Sequence, residues 1–383
     1  MNANPPVATQ HIPQQVGEEW ESPTLIESDY TELDDPAPIS QAISYSGSDF
    51  DVEGLVRRLG RGDIVVPTFG HQDPTVEAAG FQRNFVWRRA QMDKFIESLL
   101  LGFPVPGIVL VQQADKRYLV LDGQQRLRTL ASFYRGNFAG QVFALKNAAP
   151  EFLGLTYETL SEAQKRTLNN TFIQAIIVKT DGTPSSLDAI YQVFERLNSG
   201  GTQLTGHEIR VALYAGKVID FIAGLNLTPA WRSLYGSISP RLRDQELVLR
   251  IIALFTSPGT YRRPLKKYLN DFAANNRDCS SLQVERLTSL FNDTCVALHA
   301  SLGPSAFRFQ SPQVNVALTD AVMVGLMRRL EAGDPEPDPK AIASAHLKLT
   351  KETKFLDAIT RATADEESVK DRLALSTKLF GAA

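Results

Sequence analysis

The chain has 383 residues, 43% of them hydrophobic and 22% charged, the make-up of an ordinary globular protein. No apolar run approaches the roughly 18 to 20 residues of a membrane span, and the polar opening MNANPPVATQ lacks the basic-then-apolar order of a signal peptide. That leaves the cytoplasm as the expected compartment and excludes a membrane partner. The net charge of −3 is unevenly spread: residues 1–51 carry ten acidic side chains and no Lys or Arg, so the rest of the chain is a body of about +7 that tolerates polyanionic partners. Only Cys279 and Cys295 are present, without Cys or His neighbours at ligand spacing, which argues against a zinc site or disulfide framework and for two small core residues on helices.

In chain order, residues 1–50 mix Pro, Ser, Gln and acidic side chains without periodicity and read as an acidic, mostly disordered arm. Globular patterning starts at Asp51. Val52 to Leu59 suits a short helix, Asp63 to Pro67 a short strand, and Arg88 to Leu101 a helix with Met92, Phe95, Ile96, Leu99 and Leu100 on one face. Gly107 to Val111 and Arg117 to Leu121 read as the strands of a hairpin, and the second runs straight into Asp122-Gly123, from which Gln124 to Tyr134 continues with helical spacing. Ser161 with Gln164 signals another helix start, and Phe172 to Lys179 a strand. Beyond Asp181 helices dominate, including Asp188 to Leu197, Thr205 to Ala215, Arg243 to Phe255, Leu282 to Leu298 and Asp320 to Leu330, with Asp334 to Pro339 as a linker. The fold class is α+β: a mixed α/β unit over 51–180, then a mainly helical region over 181–383.

The run Asp122-Gly123-Gln124-Gln125-Arg126 therefore falls where a strand ends and a helix begins. Such a turn suits anions, because glycine lets backbone approach the ligand and the first helical N–H groups point outward along the helix dipole. Arg126 and Arg128 are candidates for phosphate contacts, Asp122 for holding Mg²⁺ or orienting a water, and Gln124 and Gln125 for binding a base, sugar or phosphate without adding charge. The plainer alternative is that Asp122 caps the helix and Gly123 only turns the chain.

The stretch from Tyr118 to Leu130 resembles the signature of the family catalogued as domain of unknown function 262, which forms the N-terminal part of GmrSD modification-dependent restriction enzymes and of SspE-type phage-defence proteins. The resemblance extends upstream to Phe81-Gln82-Arg83 with Trp87, and downstream to Val193 through Thr202 with Glu208. It implies a ParB- and sulfiredoxin-like fold, binding and hydrolysis of a nucleoside triphosphate with Mg²⁺ at Asp122 to Arg126, and a role in defence against foreign DNA. Carried over, Gln82 and Arg83 would line the same pocket. Family members that cut DNA add a nuclease domain with clustered His and Asn, whereas the five histidines here are scattered, so a nuclease would be absent or belong to a separate defence-system partner protein. DNA is a further expected partner, and self-association into a homo-oligomer is left open.

The second constellation is the glycine-rich loop Asn198-Ser199-Gly200-Gly201-Thr202, where Asn198, Gly201 and Thr202 are candidates for nucleotide or metal contact, with Glu208 as a metal ligand and Arg210 in support. Its plainer reading is a helix end followed by a capping box from Thr205 to Glu208. No P-loop or Gly-x-Ser-x-Gly elbow is present. Tyr261-Arg262-Arg263 with Lys266 and Lys267 forms a basic cluster, read as a nucleic-acid contact or a solvated helix face. Two rival functions stand beside hydrolysis. One is a non-catalytic DNA- or partner-binding module regulated by nucleotide, and the other is a metal-dependent nuclease using Asp122, Glu195 and Glu208.

Overall fold

The computed structural model describes residues 43–67, 87–197, 204–333 and 337–382. Its first half is a mixed five-stranded sheet in the order β1-β7-β3-β4-β2. The strands are β1 (Tyr45–Asp51), β2 (Ile64–Val65), β3 (Ile108–Gln112), β4 (Tyr118–Asp122) and β7 (Phe172–Lys179). A two-residue ladder joins β5 (Asn137–Phe138) to β6 (Gln141–Val142) apart from it. β3 and β4 form the expected antiparallel hairpin, while β3 runs parallel to β7 and β4 parallel to β2.

Strand alternation sends side chains to two different layers. Ile108, Leu110, Val120, Ile173, Ala175 and Ile177 face α1 (Val52–Arg61), α2 (Arg89–Leu100), α3 (Gln124–Tyr134) and α4 (Glu162–Asn170), meeting Leu55, Ile96, Leu127, Leu130 and Leu168. Val109, Val111, Leu119, Leu121 and Val178 face the other way, against Ile190 and Phe194 of α5 (Pro184–Leu197) and Ile209 and Leu213 of α6 (Gly206–Leu213). At the start of α4, Ser161 and Gln164 form the expected capping box.

The third core is helical: α7 (Lys217–Asn226), α8 (Pro229–Tyr235), α9 (Arg243–Thr256), α10 (Leu265–Asn275), α11 (Val284–Leu302), α12 (Val316–Glu331), α13 (Pro339–Leu349), α14 (Thr353–Thr360) and α15 (Glu366–Gly381). Asp320 of α12 lies between Arg250 of α9 and Arg372 of α15, at 2.5 Å and 2.9 Å, a buried cluster joining three helices. Val211 of α6 packs against both this core and the sheet layer, so α6 links the two halves.

Three expectations are corrected. The stretch read as an acidic arm ends in an edge strand: β1 pairs antiparallel with β7 along its whole length, and Asp51 caps α1 by accepting from Gly54 N–H at 2.6 Å. Residues 1–42 lie outside the described residues, as do residues 334–336 of the 334–339 linker. Cys295 is buried on α11 as expected, but Cys279 sits in a turn at φ 61° between helices and is half-buried. Finally, the basic cluster at 261–267 is paired within the protein: Lys266 is buried against Glu195, Lys267 meets Asp271, Arg262 reaches Glu366, and Arg263 meets Asp365. Lys266 ties α10 to α5 and Arg262 and Arg263 reach the start of α15 from exposed positions, while Lys267 pairs within α10.

Candidate functional site

Asp122 is the last residue of β4, and its placement depends on an irregularity in the ladder. Leu110 pairs with Val120, yet Val109 pairs with Asp122, so β4 carries one extra residue at that point. An unbroken register would set Ile108 opposite Asp122 and turn its carboxylate toward the inner layer with Val120. The bulge re-aims it to the sheet rim, where the side chain is 49% exposed.

Gly123 then adopts φ 94° in the left-handed region. A side chain here would be strained and would also collide, since an added Cβ would stand 2.4 Å from Ile108 Cγ2. Gly123 is the N-cap of α3 and has no side chain with which to cap it. Asp122 lies one residue ahead of the N-cap, and the hydrogen bond its carboxylate makes goes to Arg126. The first helical bond runs from Leu127 N–H to the Gly123 carbonyl, so the N–H groups ahead of it have no acceptor inside the helix, and no acidic residue occupies the first turn.

Arg126 is turned back onto the turn it follows. Its Nη2 donates to Asp122 Oδ2 at 2.7 Å and to the Gly107 carbonyl at 2.9 Å, and only 13% of its side chain is exposed. The guanidinium thus fixes one carboxylate oxygen of Asp122 and braces the start of β3, while Asp122 Oδ1 has no partner among the described residues. Arg126 Nε is buried without a hydrogen bond.

The remaining motif residues reach to flanking chain. Gln125 Oε1 accepts from Trp87 N–H at 3.4 Å, and Arg128 Nη2 donates to the Pro67 carbonyl at 2.8 Å, with burial lowering the Arg128 pKa. Gln124 is half-buried in the first turn. Gln82 and Arg83 lie outside the described residues. Sequence reasoning missed Gly107 and Ile108, the two residues the turn rests on; the only local signal was a glycine directly before a strand, following Pro106.

The second constellation is placed differently. Asn198, Gly201 and Thr202 lie outside the described residues. Thr205 and Glu208 form the capping box of α6, with Thr205 N–H donating to Glu208 Oε2 at 2.5 Å, and Arg241 adds bonds to both carboxylate oxygens at 3.2 Å and 3.0 Å. This corrects Glu208 as a metal ligand: its buried carboxylate is committed to backbone and arginine. Glu195, the other carboxylate of the nuclease alternative, is held by Lys266 at 3.0 Å. Among the described residues, no group of three or more His, Cys, Asp or Glu could hold a metal ion.

Arg210, fully buried, donates to Asn270 Oδ1 at 2.9 Å and Glu246 Oε1 at 3.1 Å and lies 3.1 Å from His207 Nδ1. Burial pushes the His207 pKa down to about 3, against the opposing pull of Glu246, so the ring is neutral. Arg210 belongs to a structural network and is not aimed at a ligand.

No curated protein and no solved structure matches the chain. Residues 69–215, a span that runs from just after β2 to the end of α6 and contains both constellations, match the family model described as GmrSD restriction endonuclease, N-terminal domain, and carry that domain family's pattern.

Proposed function

We propose that this protein binds and hydrolyses a nucleoside triphosphate as part of a restriction-type system acting against foreign DNA, with the phosphates at the start of α3. The observation that carries the reading is the start of α3 behind a left-handed glycine, with no acidic residue in its first turn, beside a half-exposed carboxylate whose other oxygen is held by Arg126. Glycine at this turn lets the chain pass Ile108 in the left-handed region and enter the helix, and the helix dipole favours negative charge there.

Mg²⁺ fits this donor set, since it usually binds through one or two carboxylates together with substrate phosphates, and Asp122 Oδ1 is the group left to take it. When bound, the ion neutralises charge on the phosphates. Asp122 then orients the ion or the attacking water, Arg126 positions Asp122, and Gln124 lies in the first turn to contact the phosphate chain. No covalent nucleophile is needed, because phosphoryl transfer to water depends on positioning and electrostatics. The sheet with a Gly-turn opening a helix is what a ParB-like nucleotide domain would present. The match to a restriction endonuclease N-terminal domain supports the defence role and makes DNA, and a nuclease on a separate chain, the expected partners.

The test is a binding and hydrolysis panel over the four nucleoside triphosphates with Mg²⁺, with and without DNA, comparing wild type with Asp122→Asn and Gln124→Ala. Wild-type turnover that falls in Asp122→Asn supports the reading. Tight binding with no turnover under any condition leaves the regulated binding module in its place, and no binding at all ends both.

A further inference from the structure

Gly107, directly ahead of β3, is where the candidate site meets β7. The two strands pair in parallel from Ile108 and Ala175 onward, which sets Gly107 beside Gln174 one step earlier. An added Cβ on Gly107 would stand 2.6 Å from the Gln174 carbonyl oxygen. That oxygen belongs to the backbone of an interior strand, paired with β1 on its other side at Asp49, so it cannot swing aside as the end of a side chain could. The glycine here serves a close approach of two backbones.

We propose that Gly107 is a positioning residue for hydrolysis: its carbonyl sets the guanidinium of Arg126 and, through it, the carboxylate of Asp122. The inference rests on the reading above and deepens it. Three observations lead to it.

The first is what holds Arg126. Its Nη2 donates to Asp122 Oδ2 at 2.7 Å and to the Gly107 carbonyl at 2.9 Å, while Nε is buried without a hydrogen bond. Among the described residues, the Gly107 carbonyl is thus the one acceptor besides Asp122 that directs the guanidinium. The group is planar and its N–H bonds are fixed in a fork, so moving one acceptor turns the donor that faces the other.

The second is how stiffly that carbonyl is delivered. Pro106 fixes φ immediately before Gly107, Pro104 does so two residues earlier, and Val105 is restricted by the proline that follows it. On the other side, the ladder with β7 begins at the next residue. The carbonyl therefore moves only if the start of β3 moves with it.

The third is magnitude. A Cβ at 2.6 Å has to retreat by roughly 1 Å to reach ordinary van der Waals distance, and β3 carries the carbonyl along. A misplacement of that size at a reacting group costs up to about a hundred-fold in rate. In the proposed site the phosphates are taken by the N–H groups of α3, which Gly107 does not touch, so the loss falls on turnover and not on substrate binding.

The test is phosphate release by the full chain in Mg²⁺, under steady-state and single-turnover conditions, for wild type, Gly107→Ala, Arg126→Lys and the double variant. Gly107→Ala is expected to lower kcat about ten-fold or more with KM within about two-fold of wild type. In the Arg126→Lys background, which lacks the fork, the same substitution should change the rate by less than about two-fold. Gly47→Ala, on the β1 side of β7 with nothing within 4 Å of the added Cβ, should keep wild-type kinetics. Wild-type kcat in Gly107→Ala overturns the inference and leaves the phosphate site standing, as does a loss that is fully additive with Arg126→Lys. Where Gly107→Ala does not fold or Arg126→Lys has no measurable turnover, Pro106→Ala decides, since it loosens the chain ahead of the carbonyl without adding a clash. A lower kcat at unchanged KM then supports the inference, and wild-type kinetics overturns it. A wild type that hydrolyses no nucleoside triphosphate removes the proposed activity and this inference together.

Discussion

Two helix starts in this protein set an arginine against a carboxylate, and they use their polar groups in opposite ways. At the start of α6, Glu208 is buried, takes the Thr205 N–H and is clamped by Arg241, and one turn further on Arg210 is shared among Asn270, Glu246 and His207. At the start of α3, Asp122 is half-exposed and keeps one oxygen without a partner among the described residues, and the N-cap is a glycine with no side chain to offer the helix. A buried network of this kind, even with Arg210 Nη2 and His207 Nε2 left without partners, specifies packing between elements. An open one retains capacity for a ligand. The residue types are alike, and burial separates the two roles.

The sharpest way to break this contrast is Arg210→Leu, which leaves Glu246 as a buried carboxylate without its main partner. Urea unfolding is expected to show a loss of about 3–5 kcal/mol, with the double change Arg210→Leu, Glu246→Leu recovering much of it. A single variant with unchanged stability would show that the network is not structural. Gly123→Ala comes next. Positive φ and a Cβ against Ile108 Cγ2 predict a loss of about 2–4 kcal/mol together with loss of nucleotide binding, by the same denaturation and by titration.

Acid sensitivity sharpens the α6 side. His207 is held neutral when folded and protonates near its ordinary value when unfolded, so its contribution is fully present above about pH 6.5 and falls as pH drops toward 3, by about 1.4 kcal/mol per pH unit. Buried His346, also pushed down, adds in the same direction. Stability measured from pH 7 to 5 should slope less in His207→Gln than in wild type; parallel slopes would remove His207 as the cause. Least for stability is Asp122→Asn, since this partly exposed pair with Arg126 is worth no more than about 0.5 kcal/mol. Hydrolysis should nevertheless fall about a hundred-fold or more in a direct phosphate-release assay.

The hairpin β3–β4 and the start of α3 were legible because local rules agree there: two apolar runs, a polar turn, and a glycine opening a helical period. The same holds for the capping boxes at Ser161 and Thr205. β1 was not legible. Ser46, Gly47, Ser48, Asp49 and Asp51 have poor strand propensity, and the strand exists because β7, more than a hundred residues later, supplies its hydrogen bonds. The pairing of the basic cluster at 261–267 was not legible for a similar reason, because Glu195, Asp365 and Glu366, which pair with it, are remote in sequence.

At the candidate site the division is narrower. Sequence by itself determined that Asp122 to Arg126 spans a strand end and a helix start, since alternation, glycine and helical periodicity are properties of neighbouring residues. Only the tertiary structure decided what that turn presents. The β4 bulge that brings Asp122 to the rim and the Gly107 carbonyl that turns Arg126 inward both come from pairing between distant strands, and no local pattern encodes which backbone a strand will meet.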